Sequence, residues 1–281
     1  MFVISDLHIG DGSPKDNLCQ AGRETLLDGF LDHVERQRGQ LVIVGDLFEL
    51  LRYPAERILT RRRPLLDRLA HLDSLYIPGN HDEAAVELAN ANRPAHPFFA
   101  RTSTAFTRTI GPKRFKFMHG HEVDPLITPG IQTLGRLLGA VGTRLEFRSG
   151  ACLLSNDGVT EILMEAGEQL LRVWQLLTAG LNRAAHECCS LMPPEQVTSV
   201  SRRIRTQRML NRYCQDKQHG LYDVAIVGHT HKAGAAGDWY FNSGSWTGNT
   251  NNFLRISPAG EVAVFDWSHY GPQRNETILA A

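Results

Sequence analysis

Short apolar runs alternate with longer amphipathic stretches over the first half of the chain. Phe2-Val3-Ile4 comes first. Residues 23–38 then place Leu26, Leu27, Phe30, Leu31 and Val34 on one face of a 3.6-residue period, which predicts a helix. Leu41-Val42-Ile43-Val44 is continuous, apolar and β-branched, the pattern of a buried strand. Residues 55–71 read as a second helix and residues 83–91 as a third, with Leu75-Tyr76-Ile77 between them as a short strand closed by Pro78-Gly79. Phe115-Lys116-Phe117-Met118 is a further strand. Strands alternating with helices predict an α/β architecture.

The texture then changes. From about 130 to 218 the sequence carries no strand pattern. Leu134, Leu137, Leu138, Val141 and Leu145 follow helical spacing. A longer helical stretch over about 159–187 carries Leu163, Met164, Leu170, Leu171, Trp174, Leu177 and Leu181. Pro193-Pro194 interrupts it, and a basic helix is predicted from about 195 to 216. Strands return at Val224–Val227, Trp239–Phe241, Phe253–Ile256 and Val262–Phe265. Short turns separate these closing strands, which predicts antiparallel pairing. With no linker or internal repeat, residues 1–281 are expected to form a single α/β domain with a helical insertion at about 130–218.

Bulk properties narrow the class. The 281 residues are 42% hydrophobic, enough for a substantial core. Formal net charge is zero, so no bulk field favours nucleic acid or an anionic membrane, and no nucleic-acid partner is expected. The chain enters a strand-like run at once, with no basic segment and apolar core ahead of it, so no secretory signal is expected. No apolar stretch is long enough to span a bilayer. Cys19, Cys152, Cys188, Cys189 and Cys214 fit neither a disulfide framework nor a paired zinc motif. Free thiols in a reducing cytoplasm are the expectation. Histidine is different: there are twelve, several beside Gly, Asp or Asn.

Five apolar runs each end in a polar cluster. The clusters are Asp6-Leu-His8, Gly45-Asp46, Gly79-Asn80-His81-Asp82, His119-Gly120-His121 and Gly228-His229-Thr230-His231. In an open α/β sheet the carboxyl ends of the strands are where ligands bind, so the five clusters predict one shared site. Carboxylate, amide oxygen and imidazole suit Mn, Fe, Zn or Ni, and no cysteine joins them. In Asp6-x-His8 and His229-x-His231 a spacing of two, if continued in strand conformation, turns both side chains the same way. The glycines before Asp46, Asn80 and His229 permit a sharp exit from the strand. Singly, most of these motifs have a plain reading. Asp-x-His arises often by chance, Gly-Asp is commonly a turn, and His119 with His121 reads as a pair of solvated loop histidines. Gly-His-Thr-His is the most specific piece, and the ordered set of five is what departs from chance.

That ordered set resembles the calcineurin-like metallophosphoesterase superfamily, with Asn242-Ser-Gly-Ser-Trp246 similar to the strand that follows its last histidines. The resemblance implies a four-layer αββα sandwich with two divalent metals at the strand ends, manganese being expected and iron, zinc or nickel being alternatives. Carried over, Asp6, His8 and His231 would bind the first metal, Asn80, His119 and His229 the second, and Asp46 would bridge them. His119 is preferred to His121 because it directly follows the strand; His121 would face substrate. Two cations about 3.5–4 Å apart lower the pKa of a bridging water and clamp phosphoryl oxygens, so hydrolysis of a phosphoester or pyrophosphate bond by a bridging hydroxide is implied. His81 has a suitable pKa for proton donation to the leaving oxygen. Asp82 is expected to orient His81, with a helix N-cap for residues 83–91 as its second, compatible reading.

Gly45-Asp-Leu-Phe-Glu49 also resembles the motif of UDP-2,3-diacylglucosamine pyrophosphatases, which carry a helical insertion before the final histidines. Two positions depart from that pattern: His81, where Arg is usual, and His121, where Asp is usual. The resemblance implies a nucleotide-diphosphate-linked or lipid-linked substrate, a phosphorylated small molecule being the broader class. A cytoplasmic enzyme follows, with peripheral contact at the inner membrane face. The apolar positions of the insertion read first as helix packing and secondly as an acyl slot or a cap over the metals. The basic run Arg202, Arg203, Arg205, Arg208 and Arg212 reads first as a solvated face, as does Arg61-Arg62-Arg63, with phosphate or headgroup binding as the minority reading. A non-catalytic scaffold of the same fold is the competing class. Such scaffolds tend to lose metal ligands, and here all seven ligand positions are chemically competent.

Overall fold

In the computed structural model, which describes residues 1–20, 22–90, 94–124 and 194–279, with the backbone alone for 194–204, the apolar runs become the central strands of two sheets. In chain order the first elements are β1 (Phe2–Ile4), α1 (Arg23–Arg36), β2 (Leu41–Val44), α2 (Ala55–Arg61), α3 (Arg63–His71), β3 (Leu75–Ile77) and α4 (Ala85–Asn90). Then come β4 (Phe106–Ile110), β5 (Lys113–Phe117), α5 (Pro194–Gln218), β6 (Val224–Val227), β7 (Gly234–Ala236), β8 (Tyr240–Asn242), β9 (Asn252–Ile256), β10 (Val262–Ser268) and β11 (Gly271–Asn275). By contacts the chain divides into two units, Met1–Glu122 with Gln215–Ala281, and Val123–Cys214.

The first unit holds both sheets. One has the order β11-β10-β9-β1-β2-β3 and the other β4-β5-β6-β8-β7. β1, β2 and β3 pair in parallel, while β9, β10 and β11 extend that sheet antiparallel. In the second sheet β5, β6 and β8 are parallel. Parallel pairing gathers the carboxyl ends of β1, β2 and β3 along one edge of the first sheet, and those of β5 and β6 along one edge of the second.

Alternation along each strand explains why the central runs are apolar throughout. Phe2 and Ile4 of β1, with Leu41 and Ile43 of β2, pack under the helices. Val3, Val42 and Val44 point the other way and meet Phe115, Phe117, Val224 and Ile226 of the second sheet. Both faces of β1 and β2 are therefore buried, and a polar residue on either side would lose its water. On the helical side Phe30 of α1 packs against Trp246, Phe253 and Trp267, with ring centroids 5.2, 5.1 and 5.6 Å away. Each such buried side chain contributes roughly 1.5–3 kcal/mol by removal from water. The α/β class and the two-sheet sandwich are the ones expected.

Several local expectations are revised. The helix read over 55–71 is two helices, broken at Arg62, whose backbone sits at φ −98°, ψ 16°. Pro64 enters the first turn of α3, where it has no N–H to give back to an α2 carbonyl. Arg62 is not on a solvated face: it is buried and donates to Asp16 Oδ2 at 2.5 Å, with Glu24 3.1 Å away. β4, β7 and β11 were not read from the sequence. β8, expected antiparallel among the closing strands, runs parallel to β6 and antiparallel to β7.

The basic helix α5 has the position expected. Arg208 and Arg212 are exposed, while Arg205 pairs with the buried Asp124 through its Nε at 3.1 and 3.0 Å. The helices expected at 134–145 and 159–187 lie outside the described residues. Among the described residues no helix is long and apolar enough to cross a membrane.

Candidate metal centre

Beyond their last residues β1 and β2 do not separate. The N–H groups of Asp6, Leu7, His8 and Ile9 donate to the carbonyls of Gly45, Asp46, Asp46 and Leu47 at 2.9–3.0 Å, and Glu49 returns one to Ile9 at 3.0 Å. The two loops are zipped together, so their side chains are presented side by side. The residues that project into the site do not continue the strand pleat. Asp6, His8, Asp46, His229 and His231 have φ of 55°, 48°, 50°, 71° and 55°, the left-handed region. The expectation that strand periodicity aims Asp6 with His8, and His229 with His231, is therefore corrected: left-handed turns past the strand ends aim them. Asp and His tolerate that region better than most residues but still incur strain.

Glycines make room. Gly45 has a positive φ of 97°, and a Cβ there would lie 1.9 Å from His119 Nδ1. Gly79 needs its bareness for close approach alone, since a Cβ would lie 2.2 Å from Asp46 Oδ1 and 2.7 Å from His119 Nε2. The sharp exit expected of all the preceding glycines thus applies to Gly45, while Gly79 lets two ligand candidates pack against backbone.

Six of the seven expected metal ligands meet through their side chains. Asp6 Oδ1 is 3.1 Å from His231 Nε2, and His231 Nε2 is 3.3 Å from His8 Nε2. On the other side His119 Nε2 is 3.1 Å from Asn80 Oδ1. Asp46 Oδ2 stands between the two groups, 3.8 Å from His8 Nε2 and 3.2 Å from His119 Nε2. The seventh, His229, donates its backbone N–H to Asp6 Oδ2 at 3.0 Å, and its ring centroid is 5.1 Å from that of His119.

The donor set fits divalent cations. His119 Nδ1 donates to the Val44 carbonyl at 2.8 Å, which leaves the Nε2 lone pair for a ligand, facing the oxygens of Asp46 and Asn80. Asp6 Oδ1 is buried, with His231 Nε2 3.1 Å away. Carboxylate, amide and imidazole lone pairs converging on one space call for positive charge, and oxygen with imidazole nitrogen is a donor set for borderline divalent metals. The carboxylates are ready for it. Burial alone would raise both, but His119, His81 and His8 hold Asp46 well below the usual range, and His231 lowers Asp6. Burial likewise disfavours a charged His119, yet Asp46 outweighs it and pushes that group up to about 10.

Beside this centre lies a second constellation. His81 Nδ1 is 3.0 Å from Glu49 Oε1 and 2.9 Å from Oε2, and its backbone N–H donates to Asp46 Oδ1 at 2.9 Å. Burial works against a charged His81, but Glu49, then Asp46, push it up to about 10, while His81 and His8 pull Glu49 down to about 2 against burial. Glu49 was visible in the sequence only as part of a motif. The apolar pair Leu47-Phe48, both buried, followed by an acid three residues after Asp46, is the signal that marks it.

Asp82 is corrected. It does not orient His81. It is fully buried and accepts from Tyr76 Oη at 2.5 Å, and from the backbone N–H groups of Gly79, Phe48 and Asp46 at 2.5, 3.0 and 3.2 Å. It fixes the loops after β2 and β3 to each other, and the carboxylate partner of His81 is Glu49. His121 lies close by, its ring 5.4 Å from that of His119 and 6.4 Å from that of His229. Burial lowers its pKa, which favours the neutral ring.

A family model for calcineurin-like phosphoesterases matches residues 1–233. The chain belongs to the calcineurin-like phosphoesterase family. Members of this family usually bind divalent metals, in accord with the donor set above. Among solved structures, a single mutant of Vps29 from Entamoeba histolytica is similar at 14% identity, covering 100% of both chains, with a TM-score of 0.40. The zinc-complexed Vps29 of the same organism is similar at 15% identity over 98% of this chain and 97% of that one, with a TM-score of 0.38. A Streptococcus pneumoniae protein described as a predicted phosphoesterase is similar at 12% identity over 98% and 96%, with a TM-score of 0.34. No curated protein matches the chain. Phosphoester hydrolysis is the chemistry from which that family takes its description.

Proposed function

We propose that the chain is a dinuclear-metal-dependent hydrolase of phosphoester or pyrophosphate bonds. The observation that carries this reading is the position of Asp46 Oδ2 between the His8 and His119 ring nitrogens, at 3.8 and 3.2 Å. A carboxylate so placed would serve two cation sites at once. Asp6, His8 and His231 would complete one and Asn80, His119 and His229 the other. Manganese is the metal we propose, its oxygen and imidazole ligands being those gathered here. Two cations so held would activate water at neutral pH and neutralise phosphoryl oxygens.

The chain's own groups then complete the chemistry. His81 is oriented through Nδ1 by Glu49, which leaves Nε2 to carry a proton to the leaving oxygen. Asp82 holds the loops that carry Asp46, Asn80 and His81 in register. His121 extends the histidine surface beside His119 and is assigned to substrate. The Gly45-Asp-Leu-Phe-Glu49 run supports a nucleotide-diphosphate-linked or lipid-linked substrate, as in UDP-2,3-diacylglucosamine pyrophosphatase, in a cytoplasmic enzyme that meets lipid at the inner membrane face. Turnover with added Mn²⁺ decides between the levels of this reading. The panel is a bis-aryl phosphodiester, an aryl monophosphate, a dinucleoside polyphosphate and a UDP-sugar lipid. Cleavage of the lipid alone supports the narrow reading, and no cleavage of any refutes catalysis. His81→Ala will retain metal and slow an unactivated ester by roughly 10²–10⁴-fold; an unchanged rate refutes the proton-donor role.

A further inference from the structure

Glu49 touches more than His81. Its Oε2, 2.9 Å from His81 Nδ1, is also 3.0 Å from His8 Nδ1. One carboxylate oxygen thus accepts from two imidazoles, whose rings meet edge to face with centroids 4.6 Å apart. His8 presents its other nitrogen to the cation cluster, 3.3 Å from His231 Nε2. The backbone repeats the connection: Glu49 N–H donates to the Ile9 carbonyl at 3.0 Å, and Leu50 N–H to the His81 carbonyl at 3.2 Å. The loops carrying a metal-ligand candidate and the proton donor are therefore tied to one residue.

We propose that Glu49 is a positioning residue that couples occupancy of the first cation site to placement of the proton donor, because one of its oxygens holds His8 and His81 together. The inference rests on the proposed function for the role of His81, but its metal arm does not. A neutral imidazole carries its proton on either nitrogen, and only one tautomer of His8 leaves Nε2 free for a cation. Accepting from Nδ1–H, Glu49 selects that tautomer and fixes the ring plane, as carboxylates behind metal-bound histidines do. Because the same oxygen accepts from His81, a cation that fixes the His8 ring also fixes Glu49, and through it His81.

The test uses the full chain, stripped of metal. Titration calorimetry with Mn²⁺ on wild type, Glu49→Ala, Glu49→Gln and His81→Ala is the first measurement. Glu49→Ala will weaken one of two Mn²⁺ equivalents by about 10–100-fold although Glu49 lies outside the seven proposed ligands, and His81→Ala, which keeps the Glu49–His8 contact, will weaken that equivalent far less. At saturating Mn²⁺, Glu49→Ala and His81→Ala will lose the same preference for unactivated over activated esters, and the double variant will lose no more than either. Unchanged Mn²⁺ affinity in folded Glu49→Ala, or an equal loss in His81→Ala, overturns the inference. Should Glu49→Ala fail to fold, the near-isosteric Glu49→Gln decides by the same two readouts. Absence of hydrolysis by wild type would sink the proposed function, while the calorimetric arm would still decide the His8 clamp.

Discussion

Replacing Asp82 with alanine removes one carboxylate and strands four donors. Tyr76 Oη, Gly79 N, Phe48 N and Asp46 N all point at it, at 2.5, 2.5, 3.0 and 3.2 Å, and Asp82 has no exposed surface. A hydrogen bond to a charged acceptor contributes roughly 1.5–3 kcal/mol net, and each buried donor left unpaired costs roughly 1–3 kcal/mol. A plain sum over four donors overshoots, because loops relax and water enters the vacated space. A loss of about 4–6 kcal/mol is expected, a large part of the roughly 5–15 kcal/mol that holds an ordinary domain. Urea unfolding of the metal-free chain measures it, with Asp82→Asn as the milder variant, since one oxygen still accepts while the new amide faces donors. Metal content will fall as well, because Asp46 and Asn80 lie on the loops that Asp82 ties. If Asp82→Ala stays within about 1 kcal/mol of wild type and loses only turnover, Asp82 acts on chemistry and the tying role is wrong.

Three further outcomes follow from the geometry of the site. With metal removed, Asp46 and Glu49 hold His119 and His81 up at about 10. A raised histidine stabilises the fold fully below its ordinary value near 6.5 and loses that contribution as pH climbs through 10, so metal-free melting temperature will fall between pH 6.5 and 9. Protons compete with cations for the same nitrogens, so the stabilisation gained on adding Mn²⁺ will grow over that interval; a metal-free melting temperature that rises there contradicts the pairing. Asp46→Ala will lose both metals because the bridging oxygen goes with it, and elemental analysis finding two Mn²⁺ per chain would refute the bridge.

The strands most plainly legible in the sequence are those buried on both faces. Leu41–Val44 and Val224–Val227 have no polar position to lose, so the continuous run is a direct record of the sandwich. The three strands that escaped, β4, β7 and β11, all lie at sheet edges. Phe106–Ile110 is mostly exposed, Gly234–Ala236 has no large side chain, and Gly271–Asn275 is polar and contains Pro272. An edge strand needs no apolar run, and proline is tolerated there. The break at Arg62 was hidden because apolar spacing continues across it, while the buried pairing with Asp16 depends on a loop 46 residues earlier. At the site, residue types and strand-end positions announced the ligand candidates. The division of labour between Asp82 and Glu49 was not legible, because it turns on which loop faces which carboxylate.

The left-handed backbone at Asp6, His8, Asp46, His229 and His231 sets the site against the stability of the chain that carries it. An L-residue in that region costs about 1 kcal/mol or more, and glycine escapes the cost. Five such positions at one centre mean that a change to glycine, which abolishes ligation there, also relieves backbone strain. Selection of variants for thermal tolerance or soluble yield without cation will therefore accumulate Gly and Asn at these positions. Such a screen would choose inactive molecules, and a lineage freed from the need to hydrolyse anything would drift the same way.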